Sequence, residues 1–156
     1  MSRELLAQRQ AALVAAIVAG APLPPGFDEP SVRAASDALM RKRTGEVAGV
    51  WPALCASLGP QWNGSFAAWA DGRPPRGALR DGWDIARSIA ATGDLGPAAA
   101  VELAEREVAW RYDGVAAPRR RWAGARRVPG GLLLQVAGRV WRSVRPGGNG
   151  LGRFSS

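Results

Sequence analysis

Charge divides this sequence into two parts near residue 116. Residues 1–116 contain twelve Lys or Arg and thirteen Asp or Glu, whereas residues 117–156 contain nine Arg and no acidic residue. The first part therefore has a net charge of −1 and the second a net charge of +9. Because like charges repel one another and resist compaction, we expect a folded body over residues 1–116 and a basic, partly disordered extension over residues 117–156.

Apolar residues recur along the body at spacings of three and four, between breaks at Gly and Pro. Such spacing is typical of helices that bury one face. The predicted helices run from Arg3 to Val18, from Ser31 as N-cap to Val50, from Ala53 to Leu58, around Trp62 to Trp69, from Leu79 to Ala91 and from Pro97 to Tyr112. No strand alternation is evident before residue 117, so the sequence predicts an all-α fold, a compact bundle of five to six short helices.

The basic extension contains one apolar segment, near residues 132–142. Leu132 to Val136 fit a short strand, whereas Leu133, Val136 and Val140 also fit one face of a helix. Periodicity over so few residues does not distinguish these alternatives. The Gly-rich end after Pro146 is predicted to be disordered.

Composition excludes several kinds of chemistry. The chain has no His, which excludes His-based acid–base catalysis and His metal sites, and its single Cys55 cannot form a disulfide within the chain. No glycine pattern fits a phosphate-binding loop. We therefore predict no catalytic, cofactor-binding or metal-binding residues, and a protein that is not an enzyme. The lone Cys fits a reducing compartment, so the cytoplasm is the expected location.

Residues 31–112 resemble a known family in the order of their apolar and turn residues. The likeness is carried by Arg41-Lys42-Arg43, Val47, Trp51-Pro52-Ala53-Leu54, Leu58-Gly59, Phe66, Trp69, Pro74-Pro75, Leu79, Gly82-Trp83 and Glu105. They resemble the helical N-terminal domain of BufC/HvfC-type accessory proteins, a domain often labelled DNA-binding, and especially its short actinobacterial form with an Arg-rich end. The resemblance implies a non-catalytic subunit that docks to a TIM-barrel enzyme containing several non-heme iron ions. That enzyme modifies a peptide substrate, which the subunit helps to present.

Three partner classes remain open: the iron-dependent oxidative enzyme with its peptide, nucleic acid bound non-specifically, and a membrane surface facing the amphipathic segment Leu132 to Arg145. The candidate contact residues are Arg41, Lys42, Arg43, Arg119, Arg120, Arg121, Trp122, Arg126, Arg127, Arg139, Trp141 and Arg142. For Arg41 to Arg43, a solvated helix face is the simpler interpretation. The remaining aromatic anchors, Trp51, Trp62, Trp69, Trp83 and Trp110, are predicted to pack in the core.

Overall fold

The computed structural model describes residues 3–128 and 131–144, and it divides the chain into two compact units. Unit 1 ends at Leu103 and unit 2 begins at Ala104, within the last helix. The helices are α1 (Arg3–Ala19), α2 (Glu29–Val50), α3 (Pro52–Leu58), α4 (Trp62–Ala70), α5 (Ala78–Thr92) and α6 (Pro97–Ala109). The strands are β1 (Trp110–Arg111), β2 (Arg119–Arg120), β3 (Ala123–Val128), β4 (Gly131–Val136) and β5 (Arg139–Val144). None of the described helices is long and apolar enough to cross a membrane.

Helix α2 is the central element of unit 1 and contacts α1, α3, α4 and α5. Its N-cap is Asp28, whose carboxylate accepts a hydrogen bond from the Ser31 backbone N–H at 2.9 Å. Ser31 was the predicted N-cap but lies in the first turn, since the Asp28 side chain already satisfies the free N–H there. At the other end Trp51 separates α2 from α3, as the proline at position 52 indicates.

Helix α3 begins without a side-chain cap from its own N-cap residue, Trp51. The carboxylate of Glu102 on α6 instead accepts the backbone N–H of Leu54 at 2.9 Å. This N–H is one of the donors that the first turn of a helix leaves unpaired. A residue 48 positions later in the chain therefore supplies the cap of α3.

Large aromatic and aliphatic side chains form the core of unit 1. Trp51, Leu54, Phe66 and Trp83 are fully buried, and the rings of Trp51 and Trp83 meet edge to face with centroids 6.0 Å apart. Burial confirms the core prediction for Trp51, Trp62 and Trp83. The side chains of Trp69 and Trp110 are only half-buried.

The all-α prediction is wrong, because two small antiparallel sheets follow α6 and make the fold mixed α/β. Helix α6 ends at Ala109 and not at Tyr112, and the next two residues form β1, which pairs with β2. The second sheet has the order β3-β4-β5. Strand pairing joins residues distant in the sequence, and a two-residue strand has no periodicity to detect. The local pattern therefore indicated only one of these strands, because β4 confirms the strand alternative for Leu132 to Val136.

The apolar segment near residues 132–142 forms β4, a two-residue turn and the start of β5. The turn residues Ala137 and Gly138 both have positive φ, at 50° and 84°. Positive φ at both central residues is typical of the type I′ turn that suits the twist of a hairpin. The predicted disordered end after Pro146 lies outside the described residues.

Candidate functional site

Arg43 is the candidate contact residue that the structure places most deeply in unit 1, with only 6% of its surface exposed. Its Nε donates to Oδ2 of Asp81 at 2.8 Å, and its Nη1 donates to the carbonyl of Arg73 at 2.7 Å. Asp81, at 1% exposure, also accepts the backbone N–H of Arg76 through Oδ1 at 3.1 Å. The Arg43–Asp81 pair thereby ties the connection between α4 and α5 to both α2 and α5.

Arg41 and Lys42 precede Arg43 on α2 but are exposed. Lys42 forms an ion pair with Glu46 one turn later, with 3.7 Å between Nζ and Oε1. Such exposed pairs contribute about 0.3–0.5 kcal/mol to stability. The basic triplet is therefore split between one buried structural residue and two residues at the surface.

A groove with a volume of about 590 Å³ lies beside the Arg43–Asp81 pair. We call it the Arg73 groove, and its lining residues are Arg43, Trp69, Arg73, Pro74, Arg76, Asp81, Asp84, Arg87 and Ser88. Four guanidinium groups face two carboxylates, so the lining has a net charge of +2. Helix α5 supplies both Asp84 and Arg87 to this lining, because residues three positions apart lie on one face of a helix.

Aromatic rings hold several of these guanidinium groups. The guanidinium carbon of Arg73 lies 5.0 Å from the ring centroid of Trp69, and that of Arg87 lies 5.5 Å from the ring of Trp83. Arg76 and Asp84 form an ion pair at 3.6 Å, with both side chains half-buried. The sequence-based candidates included Arg43 alone from this groove. The other residues of the groove were not predicted, because only the fold brings the Pro-rich connection between α4 and α5 against α5. The spacing of Asp84 and Arg87 was the one signal present in the sequence.

A second cluster of candidate residues lies in unit 2, around Trp122. Trp122 is 78% exposed and lines a smaller cleft of about 310 Å³ together with Trp110, Arg120 and Arg121. The guanidinium carbon of Arg120 lies 5.1 Å from the Trp110 ring, and the Trp122 carbonyl accepts the Ala137 backbone N–H at 2.8 Å. We call these four residues the Trp122 cluster. Arg119, paired with Arg111 between β1 and β2, is exposed beside them.

The three-stranded sheet separates the remaining candidates onto two faces. Trp141 pairs with Leu134, and Arg139 pairs with Val136, so these four exposed residues share one face, which we call the sheet face. Arg142 lies opposite Leu133 and therefore points to the other side, where Leu133 and Gln135 are buried. The segment expected to form one cationic amphipathic element is thus divided between two strands.

Arg126 and Arg127 are neighbours on β3 and alternate between these faces. Arg126 lies opposite Leu133 and forms an ion pair with Glu107 on α6, whereas the exposed Arg127 lies opposite Leu132. Gly124 on the same strand approaches the Val108 backbone so closely that a Cβ would overlap the Val108 carbonyl oxygen. In the described part of the chain, no group of three or more His, Cys, Asp or Glu is placed to hold a metal ion.

The helices that form the Arg73 groove belong to a domain that other proteins share. The family model of the SCO6045-like, C-terminal domain matches residues 7–91, more than half of the chain. The chain therefore belongs to the SCO6045-like, C-terminal domain family. The matched residues begin in α1, end in α5 and include all residues of the Arg73 groove.

A UPF0276 protein of Streptomyces avermitilis is 39% identical to this chain over 93 residues, which are 59% of this chain and 19% of the relative. The chain thus spans about a fifth of the length of that relative. No solved structure gives a significant match. The BufC/HvfC resemblance is not confirmed by these comparisons, which support membership of the SCO6045-like family instead.

Proposed function

We propose that this protein is a non-catalytic accessory subunit that docks to a UPF0276-type protein. The proposal rests on the unequal lengths of the two proteins, because the 93 matched residues are 59% of this chain but only 19% of the relative. In the relative, the matched segment is joined to about four times its own length of further chain. A covalently joined neighbour is present at high effective concentration, so contacts between the two parts form readily. A segment with 39% identity is expected to keep the surface that makes such contacts.

UPF0276 is a TIM-barrel-like family, so the proposed partner is a barrel protein of this kind. Active sites of such barrels lie at the C-terminal ends of the strands, in loops that a bound subunit can cover or order. The finer part of the proposal is that the partner contains several non-heme iron ions and modifies a peptide. It rests on the BufC/HvfC resemblance alone.

Unit 1 is the part of the chain proposed to dock. The family model matches residues 7–91, which all lie in unit 1, whereas the sheets of unit 2 begin at Trp110. A docking role common to the family therefore requires surface from α1 to α5. The Trp122 cluster and the sheet face lie outside the matched region and are available for another contact.

Co-expression with the UPF0276 protein encoded nearest to this chain tests the proposal, with size-exclusion chromatography as the measurement. We expect a stable one-to-one complex at micromolar concentration. The control is Trp141→Ser, which changes an exposed residue on the sheet face of unit 2. This variant is expected to leave the complex intact. Separate elution of the two proteins would contradict docking, and loss of the complex in Trp141→Ser would move the contact to unit 2. The iron content of the purified partner tests the finer part.

One observation favours a second candidate function, non-specific binding of single-stranded nucleic acid. Trp122 is 78% exposed, and in the sequence it lies between arginines that can contact phosphates. Stacking of a base on an aromatic ring contributes about 1–3 kcal/mol. The affinity for a labelled oligonucleotide, measured by fluorescence anisotropy, should then be lower in the Trp122→Ala variant and should fall steeply as the salt concentration rises. Trp141→Ala is the control. Equal affinity of the two variants would remove this candidate.

A further inference from the structure

The buried Arg43–Asp81 pair forms the base of the Arg73 groove and holds the neighbouring backbone in place. Arg43 and Asp81 are both nearly fully buried, and the Arg43 guanidinium also donates to the Arg73 carbonyl at 2.7 Å. The backbone of Arg73 is therefore fixed while its side chain is exposed. A binding group held on a fixed backbone loses less conformational entropy when a ligand arrives than one on a mobile loop.

The guanidinium group of Arg73 contacts the ring of Trp69. Its carbon lies over the ring, 5.0 Å from the centroid, and among the described residues it has no ion pair. A cation–π contact does not use up the N–H donors of a guanidinium, which match the two oxygens of a carboxylate. Arg73 is thus placed to bind an anion at the groove.

The groove has a limited excess of positive charge. Its four Arg face Asp81 and Asp84, which leaves a net charge of +2 however the ion pairs are drawn. The two carboxylates would repel a doubly charged phosphate more strongly than a singly charged group. Trp69 and Pro74 add apolar wall, and about 590 Å³ is in the range of pockets that hold small ligands or a few side chains. These properties favour a ligand with singly charged carboxylates and some apolar surface, such as a peptide that contains Glu or Asp.

We propose that the Arg73 groove binds an acidic peptide segment, with a Glu or Asp side chain of a protein partner accepting hydrogen bonds from Arg73. Arg87, which also lines the groove, supplies further positive charge for a second carboxylate. This site goes beyond the proposed docking role, since it does not depend on which protein supplies the segment.

Fluorescence anisotropy of the full chain with a fluorescein-labelled peptide containing four Glu tests the site. The same peptide with Gln in place of Glu is expected to bind at least about tenfold more weakly, as loss of a charge-assisted hydrogen bond predicts. Arg73→Glu should weaken binding of the Glu peptide by about tenfold or more, and Arg73→Lys by less. Arg33→Glu reverses an exposed charge on α2 outside the groove and should change affinity by less than about twofold.

Three results would overturn the site. Equal loss in the Arg33→Glu and Arg73→Glu variants would show general charge attraction, and equal binding of the Gln peptide would remove the carboxylate. Displacement of the Glu peptide by inorganic phosphate, but not by acetate at equal ionic strength, would assign the groove to phosphate. Circular dichroism melting checks that each variant is folded. Because no UPF0276 protein is present, failure here leaves the docking proposal standing.

Discussion

The indole of Trp51 lies directly on the backbone of α5 at Gly82. A Cβ at Gly82 would overlap the Cδ1, Nε1 and Cγ atoms of the indole. The indole Nε1 donates to the Leu79 carbonyl at 3.2 Å, one turn earlier on the same helix. Residue 82 must therefore be glycine because a side chain would not fit there, and not because the backbone angle is unusual. This close approach packs the start of α3 against α5.

Gly82→Ala should destabilise the protein by about 2–3 kcal/mol, since the added methyl group forces Trp51 out of a fully packed position. Gly64→Ala, on α4, has open space for its Cβ and should be neutral or stabilising by about 0.5–1 kcal/mol. Urea unfolding followed by tryptophan fluorescence measures both. Similar free energies of unfolding for the two variants would show that the close approach does not limit residue 82.

Arg43→Met should destabilise the protein by about 3–5 kcal/mol, because it leaves the Asp81 carboxylate buried without its ion-pair partner. The double variant Arg43→Met with Asp81→Leu should recover part of this loss, as it removes both charges. Lys42→Met, its exposed neighbour, is the control and should change stability by less than about 0.5 kcal/mol. A double-mutant cycle by denaturant unfolding measures the coupling. Additive effects of the two single substitutions would contradict a direct Arg43–Asp81 interaction.

Ala137→Gly should stabilise the β4–β5 hairpin by about 0.5–1 kcal/mol. Ala137 has φ of 50°, a left-handed conformation that costs most residues about 1–2 kcal/mol and that glycine adopts freely. Ala38→Gly, at an exposed position in the middle of α2, is the control and should destabilise by about 1 kcal/mol. Amide hydrogen exchange of β4 and β5 reports the hairpin directly. Faster exchange in Ala137→Gly would contradict a strained turn.

The N-cap of α2 gives stability a defined pH dependence. Hydrogen bonds from the Ser31 hydroxyl and backbone N–H lower the pKa of Asp28 below its ordinary value of 3.8. A lowered folded-state pKa means that the contribution is present above pH 3.8 and is lost as the pH falls through the lowered value. Asp28→Asn should retain the cap but lose this pH dependence. An NMR titration in which the Asp28 carboxyl shows its ordinary pKa would contradict the cap.

Much of unit 1 could be predicted from the sequence, because its elements are encoded locally. Apolar spacing indicated the helices, Pro52 marked the change from α2 to α3, and Gly93 ended α5 with the positive φ that glycine allows. The burial of Trp51, Trp62 and Trp83 also followed from their positions on helical faces. In each case the information lies within a few residues of the feature.

The two sheets of unit 2 and the Arg73 groove could not be predicted in this way, because both depend on contacts between distant residues. For β4 the sequence left a strand and a helix both open. Three consecutive Leu in β4 hide its alternation, although Leu133 is buried and Leu134 is exposed. The sequence favours a solvated helix face for Arg43, whereas the structure pairs its guanidinium with the buried carboxylate of Asp81, 38 residues away. The sequence contains both residues but gives no sign that they meet.

The cap of α3 by Glu102 has a consequence for the order of events on the ribosome. Leu54 is translated 48 residues before the carboxylate that accepts its N–H. At about 5–20 residues per second, α3 waits on the order of 2–10 s for its capping group. During that interval α4 and α5 are synthesised, and water must occupy the place of Glu102. The synthesis of Glu102 on α6, and not of α3 itself, therefore decides when this helix becomes fixed.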